Sequence, residues 1–465
     1  MAAKAGYERF DQEEIERAHT SKARNIPSKG KKASNSEMET NVLAGSLSGS
    51  TELLIDIEKL QESFEPAKKC CIFRVPRDLR KINEEAYTPQ VVAIGPLHHG
   101  KEEYLIEMEK QKLRYVEKFG ERTSMDKLME LRSFIEANEG KIHSFYAEHS
   151  NLSSDKFFTL QQYDDVFIIE LLLRNDQLRV TREFDSLFDT PIRKAAIKLD
   201  LQLLENQLPY FVLEELFVKL DVVKPRGGEH CNNPLLILVS RFFFDCEMDH
   251  FTYDTVNIQH FTDLRRRFLL KRFSPPRNIQ SEHIRDLPRA TKLHESGVEF
   301  EKGKEDQSPL EISYNYISPS LLRIIPLFDG IECLIRNVMA FEQLHYSWET
   351  HLCNYILLMG FLIANEKDVD ILMDKGIIFN CLGDDNATIA NMFNKLGLKV
   401  APSYSSYYNV AEELKVHNRK RWNHAKATLK RNGCWIGTGT VVTALLLLLT
   451  LVQTLCSVLQ VRYVK

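Results

Sequence analysis

The chain has 465 residues, 43% of them apolar and 10% aromatic, enough to bury a core and too many for a wholly disordered chain. Its 61 basic and 65 acidic side chains leave a net charge of −4, so no global field directs it to nucleic acid or to an acidic partner. Nine scattered cysteines without a CxxC pair argue against a disulfide framework or a zinc ribbon and for a reducing compartment.

Residues 1–50 are polar, poor in aromatics and without the apolar stretch of a signal peptide, and read as a mobile tail. From Thr51, Leu53, Leu54, Ile57, Leu60 and Phe64 fall on one face of a helix. In the next segment, Cys70 to Gly100, Pro76, Pro89 and Pro96 each push the preceding residue to an extended conformation, and Val91–Ile94 is expected to form a strand. Helical spacing resumes over Met108–Phe119 and Met125–Tyr146. Asp164 and Asp165 stand before the apolar run Val166–Leu173, where they suit the cap of a buried helix. Ala195–Lys219 is periodic but interrupted by Pro209, which either kinks the helix or opens a new one; Pro225–Pro234 reads as a loop.

Asn257–Phe273 reads as a helix carrying Arg265, Arg266 and Arg267, as either a solvated face or a phosphate contact. Short apolar stretches broken by Gly and Pro between Leu293 and Ile325 predict a small sheet, and Glu332–Leu396 returns to helix. The fold class is therefore mainly α (α+β): one large helical domain over 51–415 with a minor β element.

A basic segment follows over 416–434, and then the uncharged stretch 435–459, from Trp435 through Leu447 to Leu459, before a short tail, 460–465. About 25 residues at helical rise cross a bilayer core roughly 30 Å thick, so a transmembrane helix is expected there, with membrane lipid as its partner. Basic residues crowd the side before the span, which puts the body on the cytoplasmic side and sets Arg419, Lys420 and Arg421 against anionic headgroups. Such a chain is tail-anchored and single-pass, and the length of the span favours the plasma membrane. Gly433 and Gly437 form a GxxxG pair, a weak signal for a homodimer.

The adjacent imidazoles of His98 and His99 are the leading acid–base or metal candidates, although neighbouring positions in an extended segment point opposite ways, and a turn bonded to nearby backbone accounts for them as well. Glu342 and His345 share a helix face, but a di-iron bundle needs further copies of that motif. The amides of Asn206 and Gln207, set among leucines, require partners, for which carbonyls freed by Pro209 are candidates. There is no P-loop, dinucleotide fingerprint, HExxH, kinase set or GxSxG, so no catalytic residue, cofactor or metal ligand is assigned.

In one order the chain carries RVPRDLRKINEEAYTPQVVAIGPLHHG, MEKQKLRYV, VFIIELLLRND, DLQLLENQLPYFVLEELF, KLHESGVEF, IIPLF, IRNVMAFEQ, DVDILMDKGIIFNCLGDD and the terminal apolar run. It thereby resembles the plant family of domain of unknown function 247. Leu97, where an aromatic residue is common, and the long leading tail depart from that pattern. The resemblance implies a plant membrane-associated protein without an established enzymatic activity, and some grass members are associated with pollen-side self-incompatibility. It implies structural roles for Arg74, Pro76, Asn83, Tyr87, Pro89, Gly95, Pro96, His98, His99, Gly100, Glu205, Asn206, Gln207, Pro209, Asn337 and Glu342. The expected function is a membrane-anchored protein-interaction module; the alternative is a membrane-bound enzyme combining His98 and His99 with Glu342 or Asp165.

Overall fold

The computed structural model describes residues 70–100, 105–148, 150, 152–181, 185, 187–219, 233–244, 257–275, 282–303, 308–315, 321–324, 331–378, 385–401, 404–420, 423 and 433–463. The chain divides into two units, Met1–Glu65 and Pro66–Lys465. The first lies outside the described residues, as do the expected polar tail, the helix from Thr51 to Phe64 and most of the basic segment before the terminal helix.

The second unit is mainly helical. A short helix α1 (Arg77–Arg80) and a 3-10 turn (Glu85–Tyr87) precede α2 (Ile106–Arg122), α3 (Met125–Ala137), α4 (Glu139–His143) and the 28-residue α5 (Ser154–Thr181). Then come α6 (Pro191–Asp200), α7 (Tyr210–Lys219), α8 (Pro234–Phe244) and α9 (Phe261–Leu269). Pro191 sits in the first turn of α6, where its missing N–H has no partner to lose. Pro209 ends the turns that follow α6 and precedes α7, so it separates two helices instead of kinking one. The middle of α5, Val166–Leu173, is buried on every side, as a helix without a polar stripe must be.

After α10 (Ala290–Glu295) the expected sheet appears as β1 (Glu299–Lys302), β2 (Ser313–Asn315) and β3 (Leu321–Ile324), in the order β1-β3-β2. β1 runs parallel to β3, pairing Glu299 with Leu321, and β2 antiparallel, pairing Tyr314 with Leu322. The helices α11 (Ile331–His345), α12 (His351–Leu362), α13 (Glu366–Asp374), α14 (Asn386–Leu396), α15 (Tyr408–Arg419) and α16 (Gly433–Tyr463) complete the chain.

Two apolar cores result. The first is built from Cys71 to Leu264 and closed by Ala340 and Phe341; the second runs from Leu269 to Leu414 and includes Ile335, Val338 and Met339. Helix α11 therefore serves both.

Three expectations are corrected. Val91–Ile94 is not a strand, because its backbone groups bond to side chains, as described below. Asp164 and Asp165 lie in the middle of α5 and cap nothing. Arg265 and Arg266 are buried, so neither belongs to a solvated face. Arg265 donates Nε to Gln202 Oε1 at 2.5 Å and lies 4.4 Å over the Phe244 ring. Helix α16 is 31 residues long, but its side chains are described only over 442–457, and among the described residues no helix is long and apolar enough to cross a membrane.

Candidate functional site

Residues 90–95 run outside any helix or strand between Pro89 and Pro96, two positions that carry no N–H. The main-chain groups between them have no strand neighbour, so other partners must satisfy them if they are to be buried. Side chains do so. Asp200, at the end of α6, accepts from Gln90 N at 2.9 Å, Val91 N at 2.6 Å and Val92 N at 2.9 Å. Asn206 accepts from Ile94 N at 2.7 Å and donates to Val92 O and Asp200 O, both at 2.9 Å. Asp164 accepts from Gly95 N at 2.8 Å, and Lys112 donates to Ala93 O.

Gly95 has φ +67°, and a Cβ there would stand 2.7 Å from the carbonyl oxygen of Gln207, so only glycine fits. Lys112 also meets Asp164 and Glu109, each at 2.7 Å. Burial acts to lower the Lys112 pKa, but the two carboxylates outweigh it and hold the ammonium above its ordinary value. Burial pushes the Asp200 carboxyl up to about 6, against the pull of three backbone N–H groups.

A second carboxylate gathers the preceding strap, residues 70–88. Glu205 Oε1 accepts from Val75 N at 2.7 Å and pairs with Arg80 at 2.5 Å; its Oε2 lies 3.4 Å from Arg74 Nη1 and 3.3 Å from His98 Nε2. The His98 contact is close enough for an ion pair but off the angle of a hydrogen bond. Burial alone would raise the Glu205 pKa, but Arg80 and the backbone N–H of Val75 outweigh it and hold the carboxyl below its usual range. Arg74 reaches on to Glu148 at 2.9 Å, and Arg80 lies 5.9 Å over the ring of buried Tyr87. Pro76 precedes α1, and His99 and Gly100 are exposed.

Gln207 donates to the carbonyls of Leu201, Leu203 and Asn206 at 2.7–2.9 Å and accepts from Phe261 N at 2.8 Å. Its amide thus bonds backbone, but not at a carbonyl freed by Pro209. Asn83 donates to Glu332 Oε1 at 3.1 Å. Asn337 donates to Ala86 O at 2.7 Å and accepts from Leu204 N at 2.9 Å, which ties α11 to the strap. Glu342 meets Arg266 Nε at 3.2 Å and accepts from Leu352 N and Cys353 N at 3.2 and 3.0 Å, so it satisfies the first turn of α12 from a neighbouring helix.

The candidates for a His–carboxylate centre are thus engaged separately. His98 faces Glu205, Glu342 faces Arg266, Asp165 accepts from Gln161, and His345 meets the carbonyl of Cys70 at 3.1 Å. Among the described residues, no group of three or more His, Cys, Asp or Glu is arranged to hold a metal. Asp164, Asp200, Glu205, Asn206 and Lys112 form a backbone clamp, with acceptors for N–H and donors for C=O. Of its members, Lys112 had a sequence signal, a lysine in register with Met108, Tyr115 and Phe119 on the buried face of α2. Trp435 and Leu459 lie in α16 with their side chains outside the described residues, and Leu447 is 61% exposed.

No solved structure matches the chain. The UPF0481 protein At3g47200 of Arabidopsis thaliana is 27% identical over 454 residues, covering 89% of this chain and 90% of that protein. The UPF0481 protein At3g02645 of the same plant is 22% identical over 479 residues, covering 82% of this chain and 89% of its own. The family DUF247, described as plant protein of unknown function, matches residues 72–449, a range that takes in the whole clamp. The chain belongs to that family.

Proposed function

We propose that this chain is a membrane-tethered recognition module, held at a plant membrane by α16 and acting through its helical body by binding another protein. The observation that carries the proposal is the surface of α16: Val442, Leu445 to Leu449, Leu451, Val452 and Leu455 are each 49–63% exposed. An apolar run of that size calls for lipid or a protein partner. The uncharged sequence extends from Trp435 to Leu459, and its charge asymmetry directs the body to the cytoplasmic side, at the plasma membrane by the length of the span. Binding is favoured over catalysis because the polar side chains of the clamp are engaged with the chain's own backbone. The grass members associated with self-incompatibility make the recognition of allelic partners the natural extension.

The test is alkaline carbonate extraction of membranes from plant cells expressing the full chain. The wild type stays in the pellet, and a Leu447→Arg, Leu448→Arg variant is released. Release of the wild type would reject the anchor. Protease access to the body in sealed vesicles then reads its side.

A further inference from the structure

We infer that His260 and His345 form an acid-sensitive latch at Cys70–Ile72, the segment that leads into α1, and that protonation of His260 releases this segment.

The geometry fixes the protonation state. His260 is the N-cap of α9, and its Nδ1 accepts the backbone N–H of Asp263 at 3.3 Å. A nitrogen that accepts carries no proton, so the proton sits on Nε2, which donates to Cys71 O at 3.1 Å. The preceding carbonyl, Cys70 O, lies 3.1 Å from His345 Nδ1. Phe341 spans the two imidazoles, 4.7 Å from the His260 ring and stacked 5.2 Å from His345. The segment is also fastened to Phe145 O through Cys71 N and Ile72 N, and to Ala147 N through Ile72 O.

A second proton on His260 would set an N–H against the N–H of Asp263, remove the cap and place a cation in a fully buried ring. The charged and titratable groups facing the ring are Asp263, which favours the cation, and Arg267 and His345, which oppose it. Asp263 is already engaged by Gln259 N, Arg267 Nε and Tyr346 Oη. The Cys70 and Cys71 thiols are held neutral, since burial pushes both up. Burial pushes His260 down from 6.5 to about 4. Stability from this group is therefore complete above pH 6.5 and is lost as the pH falls towards 4.

Hydrogen exchange of the full chain, read by mass spectrometry on peptides over 70–76 and corrected for the intrinsic rate, tests the latch, with α8 as internal reference. Between pH 7 and pH 5 the opening of 70–76 relative to α8 should rise roughly twenty-fold. His260→Gln keeps a donor for Cys71 O but cannot be protonated, so it should abolish the rise. An unchanged ratio in the wild type, or a rise that persists in His260→Gln, overturns the inference. Should that variant fail to fold, His345→Gln replaces it: a retained rise supports His260, and its loss moves the switch to His345 and overturns the assignment.

Discussion

Asp200 Oδ2 lies 2.6 Å from the backbone nitrogen of Val91, a residue 109 positions earlier in the chain. Through that contact and those with Gln90 and Val92, one carboxylate replaces a missing strand. Asp200→Ala leaves the buried N–H of Val92 and the part-buried N–H groups of Gln90 and Val91 without their acceptor, and the expected loss is about 2–3 kcal/mol of unfolding free energy. Asp200→Asn, which keeps one acceptor oxygen, should lose less. Urea denaturation of the purified protein measures both.

Two glycines separate backbone strain from steric clash. Gly95 and Gly100 both have φ +67°, but a Cβ on Gly100 meets nothing within 4 Å whereas one on Gly95 meets Gln207 O. Gly100→Ala should cost about 1 kcal/mol, the left-handed penalty alone. Gly95→Ala should cost clearly more, as a lower urea midpoint.

Glu205 gives a pH signature. Its folded value is lowered, so its contribution is complete above its ordinary value of 4.5 and is lost as the pH falls through the folded value. Glu205→Gln should therefore destabilise by about 3 kcal/mol at pH 7, where it leaves Arg80 facing a neutral amide. The difference from wild type should shrink towards pH 3 in a series of denaturation curves.

The Arg266–Glu342 pair joins α9 to α11 and sets the loop after α11. Arg266 also donates to Glu349 O at 2.7 Å and lies 3.9 Å over the Tyr346 ring. Glu342→Gln alone should cost about 3–5 kcal/mol, since it leaves a buried guanidinium without its counter-charge. With Arg266→Met added, the total should fall below the sum of the single losses, and a double-mutant cycle reads the coupling.

The helical class, the small sheet and the break at Pro209 were legible in periodicity and proline placement, because those signals are local. The clamp was not. Asp200 sits at the end of a helix like any acidic residue, and its role depends on a segment more than a hundred positions away that only the fold brings to it. Asp164 and Asp165 read as caps since acid before an apolar run is a helix-start signal; α5 begins ten residues earlier and buries both. The paired amides Asn206 and Gln207 signalled their need for partners but not which carbonyls would supply them. His260 carried no pattern in sequence, since a histidine's tautomer is set by its neighbours in space.

Helix α11 has a consequence for how the body comes apart. Ala340 and Phe341 close one core while Ile335, Val338 and Met339, on the same helix, belong to the other. Cleavage between residues 269 and 282 would separate most of the first core from the helix that completes it. Neither fragment should fold alone, the two together should reconstitute the body, and heating the intact chain should give a single cooperative transition in place of two independent meltings.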